Sequence, residues 1–164
     1  MCIDLTKLNA GVERELYQLE SVEETLAKLG DECVHMTKVD ANSGYWQVPL
    51  DEESQELTTF ITPIGCFCCT RGPYGLSSMQ EIFGKKMDII IDGLEGIVKS
   101  TDDFLVYGKT KEILRQRTRK LFERFVQYGV TINLKKSLFE KTEMEFLGHH
   151  ITAEGIRPQA SRMA

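Results

Sequence analysis

The chain has 164 residues, 41% hydrophobic and 27% charged, with a formal net charge of −5, which is the length of one domain able to bury a core. No apolar run approaches the roughly 20 residues that span a bilayer, and the opening MCIDLTKLN carries charge where a secretory signal needs an apolar core; a membrane partner is excluded and an intracellular location expected. The acidic balance disfavours a free-standing nucleic-acid binder, because phosphate contacts come chiefly from Lys and Arg, yet it suits a centre that holds metal.

In chain order, the first helix signal runs from Val22 to Leu29, with Ser21 as N-cap, Glu24 completing a capping box and Gly30 as the stop. A strand over His35 to Asp40 follows, then a polar turn at Asn42 to Gly44. Trp46, Val48 and Leu50 alternate with Tyr45, Gln47 and Pro49, which predicts an extended segment. Asp51, Glu52 and Glu53 read as a solvated turn. Leu57 to Thr62 and Phe67 to Thr70, divided by Pro63-Ile64-Gly65, predict a β-hairpin. The neighbouring Cys66, Cys68 and Cys69 would point to opposite faces of such a strand, so reduced thiols are expected rather than a zinc site.

Helical spacing returns with Met79, Ile82, Phe83, Met87 and Ile90 on one face, closed by Gly93. Ile97-Val98 and Phe104 to Tyr107 predict a second hairpin. A longer amphipathic helix carries Leu114, Leu121, Phe122 and Phe125 and ends at Gly129, followed by short strands near Val130 to Ile132 and Glu145 to Leu147. The hairpins demand antiparallel pairing, so the expected fold class is α+β, with helices packed on one face of the sheet.

Chemistry concentrates at Asp102 and Asp103, adjacent acids in STDDFLVYG between two strands, with Asp40 far upstream in KVDANSGYWQVPLD. Adjacent carboxylates repel one another, and a divalent cation would offset that cost. Oxygen-only ligands suit Mg²⁺. Turn chemistry alone is the competing account of an Asp pair at a hairpin.

Five collinear blocks decide between them: IDLTKLN, KVDANSGYWQVPLD, TTFITPIGCFCCTRGPYGLSS, TDDFLVYG and GVTINLKKSLFEKTEMEFLGH. Together they resemble the reverse transcriptase of gypsy-type long-terminal-repeat retrotransposons and retrovirus-like Pol polyproteins. The resemblance implies an RNA-directed DNA polymerase: a palm on a ferredoxin-like antiparallel sheet (about 15–47 and 79–157) with partial fingers (about 1–14 and 48–78). It implies two Mg²⁺ ions, with Mn²⁺ as the alternative, held by Asp40 and Asp102 and supported by Asp103, with the Ala41 carbonyl as a further ligand.

It also implies that Tyr45 is a steric gate against the 2′-hydroxyl, that Tyr74 lies beside sugar and template, and that Lys136 donates a proton to leaving pyrophosphate. Phe146, Leu147, Gly148 and His149 match a primer grip. The implied partners are a primed RNA or DNA template, deoxynucleoside triphosphates and the rest of a Pol polyprotein, in a cytoplasmic virus-like particle or the nucleus.

Several positions depart from the family pattern. Ser100 and Thr101 stand before the Asp pair where an aromatic and an aliphatic residue are usual, and Lys99 sits in what should be an apolar strand. Burying Lys99 unpaired would cost several kcal/mol, so the strand is expected to expose it or to distort. Gly72 replaces a Leu, and Met79-Gln80 replaces a small residue and Pro. The resemblance further implies that triphosphate-gripping cations lie before Met1 and that thumb, connection and RNase H lie beyond Ala164.

Those departures and bounds lead to the expectation of a decaying copy whose acids survive while their support erodes, with little or no polymerase activity in the isolated chain. Palm surface left uncovered would invite self-association. The alternative function is a non-catalytic retrotransposon remnant acting as a nucleic-acid-binding or protein-interaction module. An unrelated two-metal nuclease would need more acids at the site, and Asp51, Glu52 and Glu53 are the only candidates near in sequence.

Overall fold

The computed structural model describes residues 3–14 and 16–159. In chain order the elements are α1 (Thr6–Asn9), α2 (Val22–Ala27), β1 (His35–Asp40), a 3₁₀ turn (Gly44–Gln47), α3 (Glu52–Leu57), β2 (Phe60–Thr62), β3 (Gly65–Phe67), α4 (Met79–Ile91), β4 (Ile97–Ser100), β5 (Asp103–Gly108), α5 (Lys111–Tyr128), β6 (Leu138–Lys141), β7 (Glu143–Phe146), β8 (His149–Thr152) and β9 (Gly155–Pro158). They divide into one unit of Met1–Leu19 with Ser43–Ile89 and another of Glu20–Asn42 with Ile90–Ala164.

The second unit is built on a four-stranded antiparallel sheet in the order β4-β5-β1-β6. Numbered by appearance in this sheet, those strands run 2-3-1-4. This is the strand order of a ferredoxin-like antiparallel sheet. The expected α+β class holds.

Alternation along each strand gives the sheet two apolar faces. On one, α5 buries Leu114, Leu121 and Phe125, and Phe125 meets Phe104 edge-on with ring centroids 5.0 Å apart. On the other, Met36, Val98 and Leu105 join Leu26 of α2 and Met144, Phe146 and Ile151 of a three-stranded sheet, β7-β8-β9. Covering both faces removes the large apolar area from water that stabilises the unit.

The helix boundaries follow local chemistry. Ser21 and Glu24 form the reciprocal capping box, Thr110 caps α5, and Gly129 ends it at φ 69°, a conformation that costs glycine little. The predicted alternation over residues 45–50 breaks in two. Gly44–Gln47 close on themselves as a 3₁₀ turn, through Trp46 N–H to Ser43 O and Val48 N–H to Tyr45 O, and only residues 48–50 are extended, bonding to residues 70–72.

The acidic stretch 51–53 is the start of α3, not a free turn: Asp51 Oδ1 accepts from Ser54 N–H at 2.7 Å, and Glu52 and Glu53 occupy the first turn, where acids suit the helix dipole. The strand predicted near Val130 to Ile132 reduces to a single bridge, Ala41 to Ile132. The true partner of β1 is the exposed edge strand β6, whose register is irregular. Lys99 lies half-buried on edge strand β4, within a regular ladder to β5, so neither full exposure nor distortion is needed. None of the helices among the described residues is long and apolar enough to cross a membrane.

Candidate active site

β1 and β5 run antiparallel with Asp40 directly opposite Asp103. Residues opposite one another share a face. Ser100 pairs with Asp103 across β4 and β5, so the connecting loop is the two residues Thr101 and Asp102. A two-residue hairpin loop of this kind needs positive φ at its first position. Thr101 supplies it at φ 50°, which a β-branched side chain adopts only under strain.

That turn sets Asp102 against the end of β1, where Ala41 N–H donates to Asp102 O at 2.7 Å. The Asp102 carboxyl is pushed above its ordinary value first by burial, then by the negative charges of Asp40 and Asp103, with Lys136 acting in the opposite sense. Oδ1 of Asp102 and Oδ1 of Asp103 are buried without a hydrogen-bond partner. An orphaned oxygen in an anionic niche fits a cation.

Asp103 is engaged elsewhere as well. Lys38 Nζ lies 3.4 Å from Asp103 Oδ2, with both side chains about a quarter exposed, at 22% and 31%. Among the described residues no group of three or more His, Cys, Asp or Glu is arranged to hold a metal ion. Of the expected ligand set of Asp40, Asp102 and Asp103, the third acid has a lysine beside one of its two oxygens. Asp102, with its orphaned Oδ1 and the charge of Asp40 beside it, fits a divalent cation.

Lys136 reaches the couple through a stitched turn. Asn133 N–H donates to Asp40 O at 2.9 Å, and Lys136 and Ser137 N–H donate to Asn133 O. Ser137 Oγ in turn accepts from Asp40 N–H. The Lys136 ammonium thereby comes to 3.9 Å from Asp40 Oδ2 while staying 68% exposed. The segment matched to a primer grip is the β7–β8 hairpin, in which Phe146 pairs with His149. Phe146 is core. Leu147 and Gly148 form the loop at φ 54° and 74°, and Leu147 O lies 3.1 Å from His149 Nδ1.

In the other unit, Tyr45 stands on the 3₁₀ turn with its ring 5.2 Å from that of Tyr74 and 5.8 Å, edge-on, from that of Phe83. Tyr74 sits in a loop held by Asn9, whose side chain donates to Gly75 O at 2.8 Å and accepts from Ser77 N–H at 2.9 Å. The departures at 72 and 79 lie against one another. A β-carbon at Gly72 would lie 2.8 Å from Met79 Sδ and 3.0 Å from Tyr45 O, so the fully buried Met79 fills the space beside Gly72.

The sequence reading did not identify Lys38, Asn9, Asn133 or Ser137. Lys38 was within reach of it, since a residue two before Asp40 in a strand must share its face. The others act through backbone contacts with distant segments and leave no local signal.

The family model for reverse transcriptase (RNA-dependent DNA polymerase) matches residues 2–151. The chain belongs to this family. As a reverse transcriptase-family chain it is 31% identical over 164 residues to an uncharacterized protein of Caenorhabditis elegans, covering 99% of this chain and 13% of that protein. It is 30% identical over 158 residues to the retrovirus-related Pol polyprotein from transposon 297 of Drosophila melanogaster, covering 95% and 15%. The chain thus spans less than a sixth of these relatives.

Among solved structures it resembles the foamy viral protease-reverse transcriptase in complex with double-stranded DNA, at TM-score 0.92 and 24% identity, covering 98% of this chain and 28% of the other. The same viral protein in complex with RNA/DNA hybrid matches at TM-score 0.89 and 24% identity, covering 96% and 21%. At that identity the likeness is one of fold.

Proposed function

We propose that this chain is the nucleotidyl-transfer domain of an RNA-directed DNA polymerase of the retrotransposon Pol type, acting on a primed RNA or DNA template with deoxynucleoside triphosphates. The observation that carries the reading is the half-buried Asp102 carboxyl, orphaned at Oδ1 and raised first by burial and then by the charges of Asp40 and Asp103. Such a group is costly to keep unless a cation joins it. Family membership and the foamy viral complexes with nucleic acid support the same partners.

In this reading Asp40 and Asp102 hold two Mg²⁺ ions, or Mn²⁺ in their place, with the Ala41 carbonyl as a further ligand. When bound, the pair supplies charge neutralisation for the attacking and leaving oxygens of an in-line displacement. Lys136, exposed and close to Asp40, holds a proton at Nζ for the leaving pyrophosphate. Tyr45, fixed by aromatic contacts on two sides, crowds a 2′-hydroxyl, and Tyr74 flanks sugar and template. The hairpin of Phe146, Leu147, Gly148 and His149 orients the primer strand.

Residues of about 1–14 and 48–78, with Tyr74, correspond to partial fingers, and residues of about 15–47 and 79–157, with Tyr45 and the acids, to the palm. An intracellular setting, either a cytoplasmic particle or the nucleus, suits these substrates. Metal titration tests the reading: the chain binds Mn²⁺, and Asp40→Ala or Asp102→Ala each removes that binding. Unchanged Mn²⁺ affinity in both variants would leave the enzyme reading without its chemistry.

A further inference from the structure

Lys38 has no role in the site as read from the family blocks, yet its 3.4 Å approach to Asp103 is closer than the 3.9 Å between Lys136 and Asp40. Its position follows from pairing. Asp40 and Asp103 are opposite one another, and Lys38 is opposite Leu105, so Lys38 and Asp103 are diagonal neighbours on one face, within reach of a long side chain. Lys136 approaches Asp40 from a turn that follows α5. Each lysine is thus assigned to a different acid.

This division has a chemical consequence. Among the described residues, Lys136 lies within 4 Å of Asp40 and Lys38 within 4 Å of Asp103. The exposed Lys136 is free to swing away, since a long side chain in solvent gains little from such a pair. Lys38, at 22% exposure between sheet neighbours, is not.

We propose that Lys38 is a positioning residue that ties the Asp103 carboxylate along the β1–β5 ladder, leaving Asp40 and Asp102 as the cation-holding couple. Without the lysine, Asp103 turns toward Asp102 and enters the ligand set. Tandem acids could otherwise compete for one ion in several arrangements, and Lys38 selects one of them. The inference rests on the metal-site reading given above.

Mn²⁺ titration of the purified chain, followed by the electron paramagnetic resonance of the free ion, separates the two. The wild type binds Mn²⁺, and Lys38→Arg, which keeps the cation, binds it alike. Asp103→Asn changes affinity by less than about threefold, because the carboxylate it removes is already committed to Lys38. Lys38→Met tightens binding at least about fivefold, by releasing a carboxylate and removing a nearby positive charge.

The double variant Lys38→Met/Asp103→Asn loses most of that gain. If it keeps the full gain, Lys38 acts only as a distant charge, and the positioning role is overturned. Loss of Mn²⁺ binding in Asp103→Asn alone overturns it too, since Asp103 would then be a ligand despite Lys38. Absence of binding in the wild type sinks the metal-site reading itself and the inference with it. Far-ultraviolet circular dichroism of each variant, expected to match the wild type, excludes misfolding as the cause of any change.

Discussion

Thr101 shows how much a single residue contributes to the site. The two-residue loop places Asp102 beside Ala41 only if its first residue takes positive φ, and a β-branched threonine does so under strain that glycine would not feel. Thr101→Gly is expected to stabilise the chain by about 1 kcal/mol, measured by urea denaturation in a chelating buffer. A loss of stability would mean that the threonine side chain contributes more than its backbone costs. Asp102 makes the complementary case. Its folded-state value lies above the ordinary 3.8, so its favourable contribution is fully present below 3.8 and is lost as pH rises through the raised value. At neutral pH the ionised group opposes folding. Metal-free Asp102→Asn should therefore melt at a higher temperature than wild type at pH 7, and the gap should narrow toward pH 3; calorimetry across that range checks both sign and window.

Elements differ in how openly the sequence announced them. α2, β1, α4, the β4–β5 hairpin and α5 were legible because cap residues and apolar spacing agree, as at Ser21 with Glu24 and at Gly129. α3 was not, because EESQEL has no apolar stripe and only its Asp51 cap signals a helix. β6 was hidden for a related reason: all four of its residues are exposed, and pairing with β1 creates the strand, not alternation. At the site, Asp40 and Asp102 were legible from the family blocks, whereas the attachment of Asp103 to Lys38 depends on cross-strand register.

The Gly72 and Met79 pair belongs to the same scale, joining a loop to the first residue of α4. Gly72→Ala should cost about 1–3 kcal/mol by overpacking, and Met79→Ala about 2–5 kcal/mol by leaving a void. In the double variant the two losses should fall short of their sum, since the added methyl occupies part of the void. Additive losses in a double-mutant cycle would show that the two sites are independent.

At the scale of the whole molecule, the chain divides into two units and passes between them three times, near residues 19, 42 and 89. The unit with the acids is stabilised by two apolar faces, yet it carries at one end of its sheet an anionic niche whose repulsion opposes folding. A cation binding the folded form offsets that cost by mass action. Mn²⁺ at ten times its dissociation constant should add about 1.4 kcal/mol of stability, seen as an upward shift in melting temperature that Asp102→Asn abolishes. An equal shift in that variant would assign the ion to another place.

The most direct measurement is an anomalous-scattering map of crystals grown with Mn²⁺ and a primed template. The account predicts two peaks about 3.5–4 Å apart, shared by the carboxylates of Asp40 and Asp102, with Asp103 still bonded to Lys38. Peaks held by neither carboxylate of that couple, or lying wholly in the unit that contains Tyr45, would contradict it.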